Sequence, residues 1–357
     1  MASLTQTSVV ARRVIRYSIY AIILILIGRL IFRGVVTLYR RVFPEPPPKA
    51  TLGFGKLPKL PFPEKNRDKK FNYILELPDV SLPKLPEQEA VYYMPPFETN
   101  IGVEDDAKNK ARSMGYNQDG KVIVEGVPNV YIFQKNNVPS TLTMNIITGI
   151  FSVSYNLDAD PSVLVGNPPE TGLASRKAAG FLSRAGALKD DLKKGIYTYQ
   201  YLKQSGGIFQ SVSSLSEADS IKVNLFRQNY GIDNNVPSVT PDMPEANIWF
   251  VIGAGRGNEI IAAEYNYYPL DAGKKETYTI ITSDKAFEKL KNGEGYIANV
   301  GENTGTNIII RRVYLGYYDP GQYTKNYQPV VVFEGDNNFY AFVPAISEEY
   351  YGNEDSN

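Results

Sequence analysis

Apolar and polar positions follow three different patterns along this chain, and each predicts a different structure. From Tyr17 to Tyr39 the residues are mostly apolar and charge intrudes only at Arg29 and Arg33. Tyr17–Gly28 is free of charge but too short to cross a bilayer, which takes about 20 residues. Extended to Tyr39 the segment is long enough, and a transmembrane helix over 17–39 is predicted. Arg29 and Arg33 are four apart, so they share one helical face, and their long stems can carry the guanidinium groups to the headgroups. Arg29, Arg33, Arg40 and Arg41 are the expected membrane-interface residues. An interfacial amphipathic helix and a cleaved signal peptide are the alternatives, although no small-x-small cleavage site follows the apolar core.

The second pattern is set by proline. Twelve of the 24 prolines lie between Pro44 and Pro96; each fixes φ and lacks an amide donor, which rules out helix and central strand. Residues 40–70 therefore read as a basic, proline-rich linker that holds the following residues off the membrane, or as a docking segment for an aromatic groove.

The third pattern, from Phe71 on, is strand-like alternation with short helices between. Helices are predicted at Asp105–Met114, Leu173–Ala185 and Asp284–Lys291, with Gly115, Gly186 and Gly293 placed to stop them and Thr282 or Ser283 to cap the third. Strands fit 121–125, 130–134, 142–147, 151–157, 196–202, 207–212, 221–227, 248–252, 259–267, 296–300, 307–317, 330–334 and 339–343, with a turn at Gly126-Val127-Pro128-Asn129. A short helix opened by small polar residues, stopped by Gly and followed by an antiparallel meander thus recurs three times. The expected fold class is α+β. The expected organisation is a flank (1–16), a membrane helix (17–39), the linker (40–70), a first α+β domain (71–165), a second (166–346) and a frayed acidic tail (347–357).

Composition narrows the chemistry. With no Cys and no His, the chain cannot form a disulfide, a thiolate or imidazole metal site, a thiol nucleophile or a Ser–His–Asp triad; no cofactor is expected. The net charge of zero hides an asymmetry. Residues 1–70 carry 14 Lys and Arg against three acids, which leaves 24 basic and 35 acidic residues beyond them. The basic arm suits anionic lipid headgroups, and the acidic remainder argues against nucleic acid. The positive-inside rule favours a cytoplasmic C-terminal side. An N-terminal signal anchor, the long spacer and the lack of Cys favour an extracytoplasmic one, which is the expectation adopted.

The C-terminal segments Thr282–Leu290, Ile310–Tyr318 and Gln328–Phe333 resemble the PepSY-like regulatory domains, including the membrane-anchored YycH/YycI type found beside bacterial sensor kinases. In that group a capped Ala-x-x-x-Leu helix precedes a strand ending in paired tyrosines, and a strand opening with Pro-Val returns. The likeness covers residues 245–346, and the upstream units only in outline. It implies a non-enzymatic, extracytoplasmic module that modulates a sensor-kinase-like partner or restrains a wall enzyme. The proline-rich spacer departs from that pattern.

Candidate chemistry is sparse. Tyr265, Tyr267, Tyr268, Tyr314, Tyr317 and Tyr318 could line a groove for a peptide or glycan, or fill a half-buried sheet face. Gly253-Ala254-Gly255-Arg256-Gly257 lacks the third glycine and the following helix of a dinucleotide fingerprint, and reads as a hairpin turn. Glu264, Asp271, Asp319 and Glu334 are the carboxylates a glycosidase-like pair would draw on. Asp158-Ala159-Asp160 reads as a turn. The function these features favour is a membrane-anchored, non-catalytic binding or regulatory module. A carboxylate-based envelope hydrolase and a self-associating structural surface component are the alternatives.

Overall fold

The computed structural model describes residues 4–42, 49–66, 69–79, 81–98, 101–119, 121–122 and 129–353. Two compact units are present, 1–49 and 50–357.

The first unit is a single helix, α1 (Leu4–Val42). Its stretch Arg12–Tyr39 is long and apolar enough to cross a membrane. At about 1.5 Å per residue, 39 residues extend about 58 Å, well beyond a hydrocarbon core of roughly 30 Å. Among the described residues its large apolar side chains are mostly exposed: Leu24 and Leu30 are each 75% exposed. The flank expected at 1–16 continues the helix from Leu4. Arg29 and Arg33 project into open surroundings, and the side chains of Arg40 and Arg41 lie outside the described residues.

The second unit is α+β, and its largest sheet is antiparallel throughout. In spatial order the strands are Lys121–Val122, Val130–Gln134, Ser140–Asn145, Phe151–Tyr155, Ile260–Tyr265, Ile248–Gly253, Ser220–Phe226, Ile196–Ser205 and Ile208–Val212. The expected domain boundary at 165/166 therefore falls inside one continuous sheet. Phe151–Tyr155 finds its second partner in Ile260–Tyr265, more than a hundred residues on, through the register Phe151↔Tyr265. The remainder of the expected strand 121–125 and the turn residues 126–128 lie outside the described residues.

One face of this sheet is covered by two helices, α2 (Val103–Ser113) and α3 (Thr171–Arg184). Their apolar residues recur at helical spacing, Ala107 and Ala111 on α2, Ala174, Ala178, Phe181 and Leu182 on α3, and all are buried against Phe133, Leu142, Phe151 and Phe250. Each large apolar side chain buried in this way contributes roughly 1.5–3 kcal/mol. A short turn of helix, α4 (Asp190–Lys193), follows.

A second sheet runs Ser238–Val239, Asn307–Tyr318, Pro329–Gly335, Phe339–Pro344, Tyr296–Asn299, with Asn72–Leu75 added in parallel beside Asn307–Ile310. Helix α5 (Ser283–Lys291) packs on it, with Ala286 and Leu290 buried. Thr282 is its N-cap, its hydroxyl accepting from the Lys285 amide. The other helices open differently, α2 after Gly102 and α3 after Glu170, neither with a side-chain cap. All three end as expected: Gly115, Gly186 and Gly293 have φ of +91°, +63° and +79°, the left-handed region that only glycine enters without steric cost. A three-stranded antiparallel sheet, Asp271–Thr279, Gln88–Tyr93 and Asn326–Tyr327, joins the same core.

Two further expectations are corrected. The linker was expected to run to residue 70, but from Ala50 the chain belongs to the body. Leu57 is fully buried and Leu60 nearly so, and the Leu60 amide donates to the Tyr351 hydroxyl at 2.9 Å. Prolines there exclude regular structure without excluding burial of the leucines between them. The tail is also tied down as far as Asn353. Tyr351–Asn353 pairs in parallel with Leu57–Pro58, and Glu348 binds Lys289 at 2.9 Å.

Candidate functional site

The six tyrosines singled out from the sequence are divided among separate places. On the long strand Asn307–Tyr318, side chains alternate between faces, so Tyr317 points opposite to Tyr314 and Tyr318. Tyr317 is fully buried, stacks on Tyr327 at 5.0 Å and donates to the Ala90 carbonyl at 2.6 Å. Tyr318 is buried on the other face, edge-on to Phe62 at 4.8 Å. Tyr314 is half-buried beside Arg312. Tyr265 and Tyr267 belong to the larger sheet's core and stack on each other at 5.9 Å. Tyr265 donates to the Ala187 carbonyl at 2.8 Å, and Tyr267 to Asp191 at 3.0 Å. Tyr268 is half-buried against Phe97. A single exposed tyrosine groove is thereby overturned: period-two alternation and burial on both faces spread these rings through three cores.

The carboxylates are likewise held apart by different partners. Glu264 accepts from the Asn266 amide at 2.8 Å, and Asp271 from the backbone amides of Gly273 and Lys274 in its own turn. Glu334 pairs with Arg312 at 3.1 Å. Asp160 caps the 3-10 turn Pro161–Leu164 and accepts from the Tyr155 hydroxyl at 2.7 Å. Its bonds to Ser162 and Tyr155 hold the carboxyl below the usual range. Among the described residues no three carboxylates gather as a metal site would need.

Asp319 is part of a buried charge cluster. Arg227, 2% exposed, donates through Nη1 to Asp191 at 2.8 Å, through Nε to Asp319 at 2.6 Å and through Nη2 to the Tyr268 carbonyl at 2.6 Å. Burial alone would weaken the protonated form, but Asp319 and Asp191 outweigh it and raise the guanidinium pKa further. Burial raises the tyrosines around it above their ordinary value, Tyr230, Tyr267 and Tyr327 included. Sequestered in this way, the cluster fastens the elements on which its members stand.

The glycine run 253–257 closes the hairpin between Ile248–Gly253 and Ile260–Tyr265. A Cβ at Gly253 or Gly255 would come within 2.4 or 2.5 Å of the Val163 or Ser162 carbonyl oxygen. The Gly255 amide donates to Val163 and the Ala254 amide to Asp219. Close backbone packing accounts for these glycines, and their amides are not gathered toward an anion.

Three cavities bear on binding. One of about 710 Å³ lies beside the end of α5, and its Lys65 and Lys291 are already bonded to Asp242 and Glu288. Two others, of about 380 and 280 Å³, lie along α3 and just past its C-terminal end, and share Met114 as a wall residue. Arg176, Gly180 and Arg184 line the larger of these, and no sequence expectation included them. Their spacing of four and four, which puts them on one helical face, was the available signal.

Comparison with known proteins gives distant structural likeness only. No family profile matches the chain, and no curated protein does. A crystal structure of an uncharacterized protein from Eubacterium rectale ATCC 33656 is similar with a TM-score of 0.42 and 13% identity, covering 80% of this chain and 91% of the other. The Bacillus megaterium YpeB C-terminal domain is similar with a TM-score of 0.31 and 13% identity, over 71% of this chain and 95% of that one.

Proposed function

We propose that this protein is a single-pass membrane-anchored module whose α+β body stands on the extracytoplasmic side and binds and regulates an envelope partner protein without catalysing a reaction. The observation that carries this reading is α1. A helix that leaves its leucines and isoleucines unpacked is stable where lipid replaces water, and the basic residues that follow match anionic headgroups. The non-catalytic part is supported by the carboxylates. Glu264, Asp271, Asp319 and Glu334 each serve a different local partner, whereas a hydrolytic pair must converge on one cleft. The absence of cysteine suits an oxidising compartment as well as any other, and an N-terminal signal anchor carries its body across the membrane despite the basic arm.

Protease treatment of intact and of lysed cells tests the reading. The body is expected to be digested in intact cells, leaving a short fragment containing α1. A body protected until lysis refutes the extracytoplasmic placement. Release of the full-length chain from vesicles by alkaline carbonate refutes the anchor itself.

A further inference from the structure

The cavity along α3 and the one just past its C-terminal end hold an unbalanced set of charges. Arg176, Lys177 and Arg184 of α3, with Lys135, surround the larger one, where Glu259 is the only acid among the described residues. Glu259 is already bonded to Lys135 at 2.7 Å, and Lys177 donates to the Gly257 carbonyl at 2.6 Å. Among the described residues Arg176 and Arg184 have no carboxylate partner; Arg184 stands 6.0 Å from the Phe181 ring centroid. The adjoining cavity adds Lys110 and Lys189, with no acid among its described lining residues, over a floor of Met114, Met144, Phe151 and Tyr265. This concentration of cations occurs in a body whose residues beyond 70 carry 24 basic and 35 acidic side chains.

Gly180 points the same way. A glycine inside a helix costs stability relative to alanine, and it is usually explained by something packed close to it. Here nothing lies within 4 Å of the position a Cβ would take. The helix backbone is left open between two arginines that no carboxylate pairs with among the described residues.

We propose that this groove along α3 is the docking site for an acidic peptide segment of the partner protein, a reading that rests on the binding function proposed above. Arg176 and Arg184 are two helical turns apart, about 12 Å at 1.5 Å per residue. An extended peptide covers that distance in three to four residues at about 3.3 Å each, so carboxylates spaced three or four apart meet both guanidinium groups. An apolar residue beyond them fits over Met114 and Phe151. Guanidinium–carboxylate bonds supply orientation, and the apolar floor supplies the burial a free small anion could not use.

The test uses the full-length protein in detergent micelles and a fluorescent synthetic octapeptide of aspartate, glutamate and leucine, with its asparagine–glutamine counterpart as control. Fluorescence anisotropy is expected to show salt-sensitive binding of the acidic peptide only. Arg176→Gln and Arg184→Gln are each expected to weaken it about tenfold, the loss typical of a charge-assisted hydrogen bond. Gly180→Leu is expected to abolish binding while melting no lower than the parent, because leucine favours the helix and fills the open space. The proposal is overturned if the acidic peptide does not bind, if the three variants bind it unchanged, if inorganic phosphate displaces it at equal concentration, or if a single-stranded oligonucleotide binds more tightly. Protease accessibility reports separately on the membrane anchor: peptide binding by a chain that is protected in intact cells would sink the topology alone, and failed binding by a chain digested in them would sink the groove alone.

Discussion

Tyr267 meets Arg227 in two ways: its ring centroid lies 4.4 Å from the guanidinium carbon, and its hydroxyl donates to Asp191, which the same guanidinium grips. Tyr230 also donates to Asp191, at 3.3 Å. The arginine directly follows the strand Ser220–Phe226, Asp191 is on α4 and Asp319 just past the long strand of the second sheet. One side chain therefore fastens elements from both sheets. Arg227→Met leaves two buried carboxylates without their cation and is expected to cost about 3–5 kcal/mol. Asp319→Asn keeps the shape and leaves one acid for one base, and is expected to cost less than half as much. Urea denaturation of both variants measures the order, and a reversed order refutes this account of the cluster.

Alkaline pH is expected to unfold the body through its tyrosines. Burial raises Tyr73 from 10.0 to about 12, and it holds Tyr317 and Tyr327 well above 10.0. Because these folded-state values lie above the unfolded one, the stability they contribute is complete below pH 10. It is lost as pH rises through the folded values, since the unfolded chain releases its protons first. Tyrosinate absorbance is expected to rise in step with loss of circular dichroism above pH 10. Independent titration of all the rings near pH 10 with the fold intact would contradict it.

Leu57 distinguishes a free spacer from a packed segment. The side chain is fully buried in the core that includes Tyr278, Val331 and Phe333. Leu57→Ala is expected to destabilise the body by about 2–5 kcal/mol. An unchanged melting temperature would return residues 50–66 to the stand-off arm.

Gly180→Ala is expected to stabilise the body by about 1 kcal/mol, because alanine is the better helix former and no neighbour obstructs its methyl group. Thermal unfolding of this single variant decides it, and a loss of stability would show that the glycine has a packing role.

The helices were legible in the sequence because Ala107 and Ala111, Ala174 and Ala178, and Ala286 and Leu290 recur one turn apart and a glycine follows each helix. Most strands of the larger sheet were legible from alternation. Their neighbours were not, since alternation says nothing of partners, and the pairing of Phe151–Tyr155 with Ile260–Tyr265 joins distant segments. Gln88–Tyr93 escaped notice because it is buried on both faces and carries Glu89, whose carboxylate is satisfied by the amides of Ala90 and Ile232. Asp271–Thr279 is mostly exposed and charged, so no face stands out. The tyrosines show the same limit. An alternating ring can line a groove or a core, and only the covering element decides which. The row at Arg176, Gly180 and Arg184 was readable as a helical face, but that Glu259 is the only acid beside it among the described residues is a tertiary fact.

Leu57 lies directly across from Tyr351 in the smallest sheet. The first and last strands of the described body thus lie side by side, an arrangement that tolerates circular permutation and grafting. The body could be spliced into a surface turn of an unrelated host without forcing the host's cut ends apart.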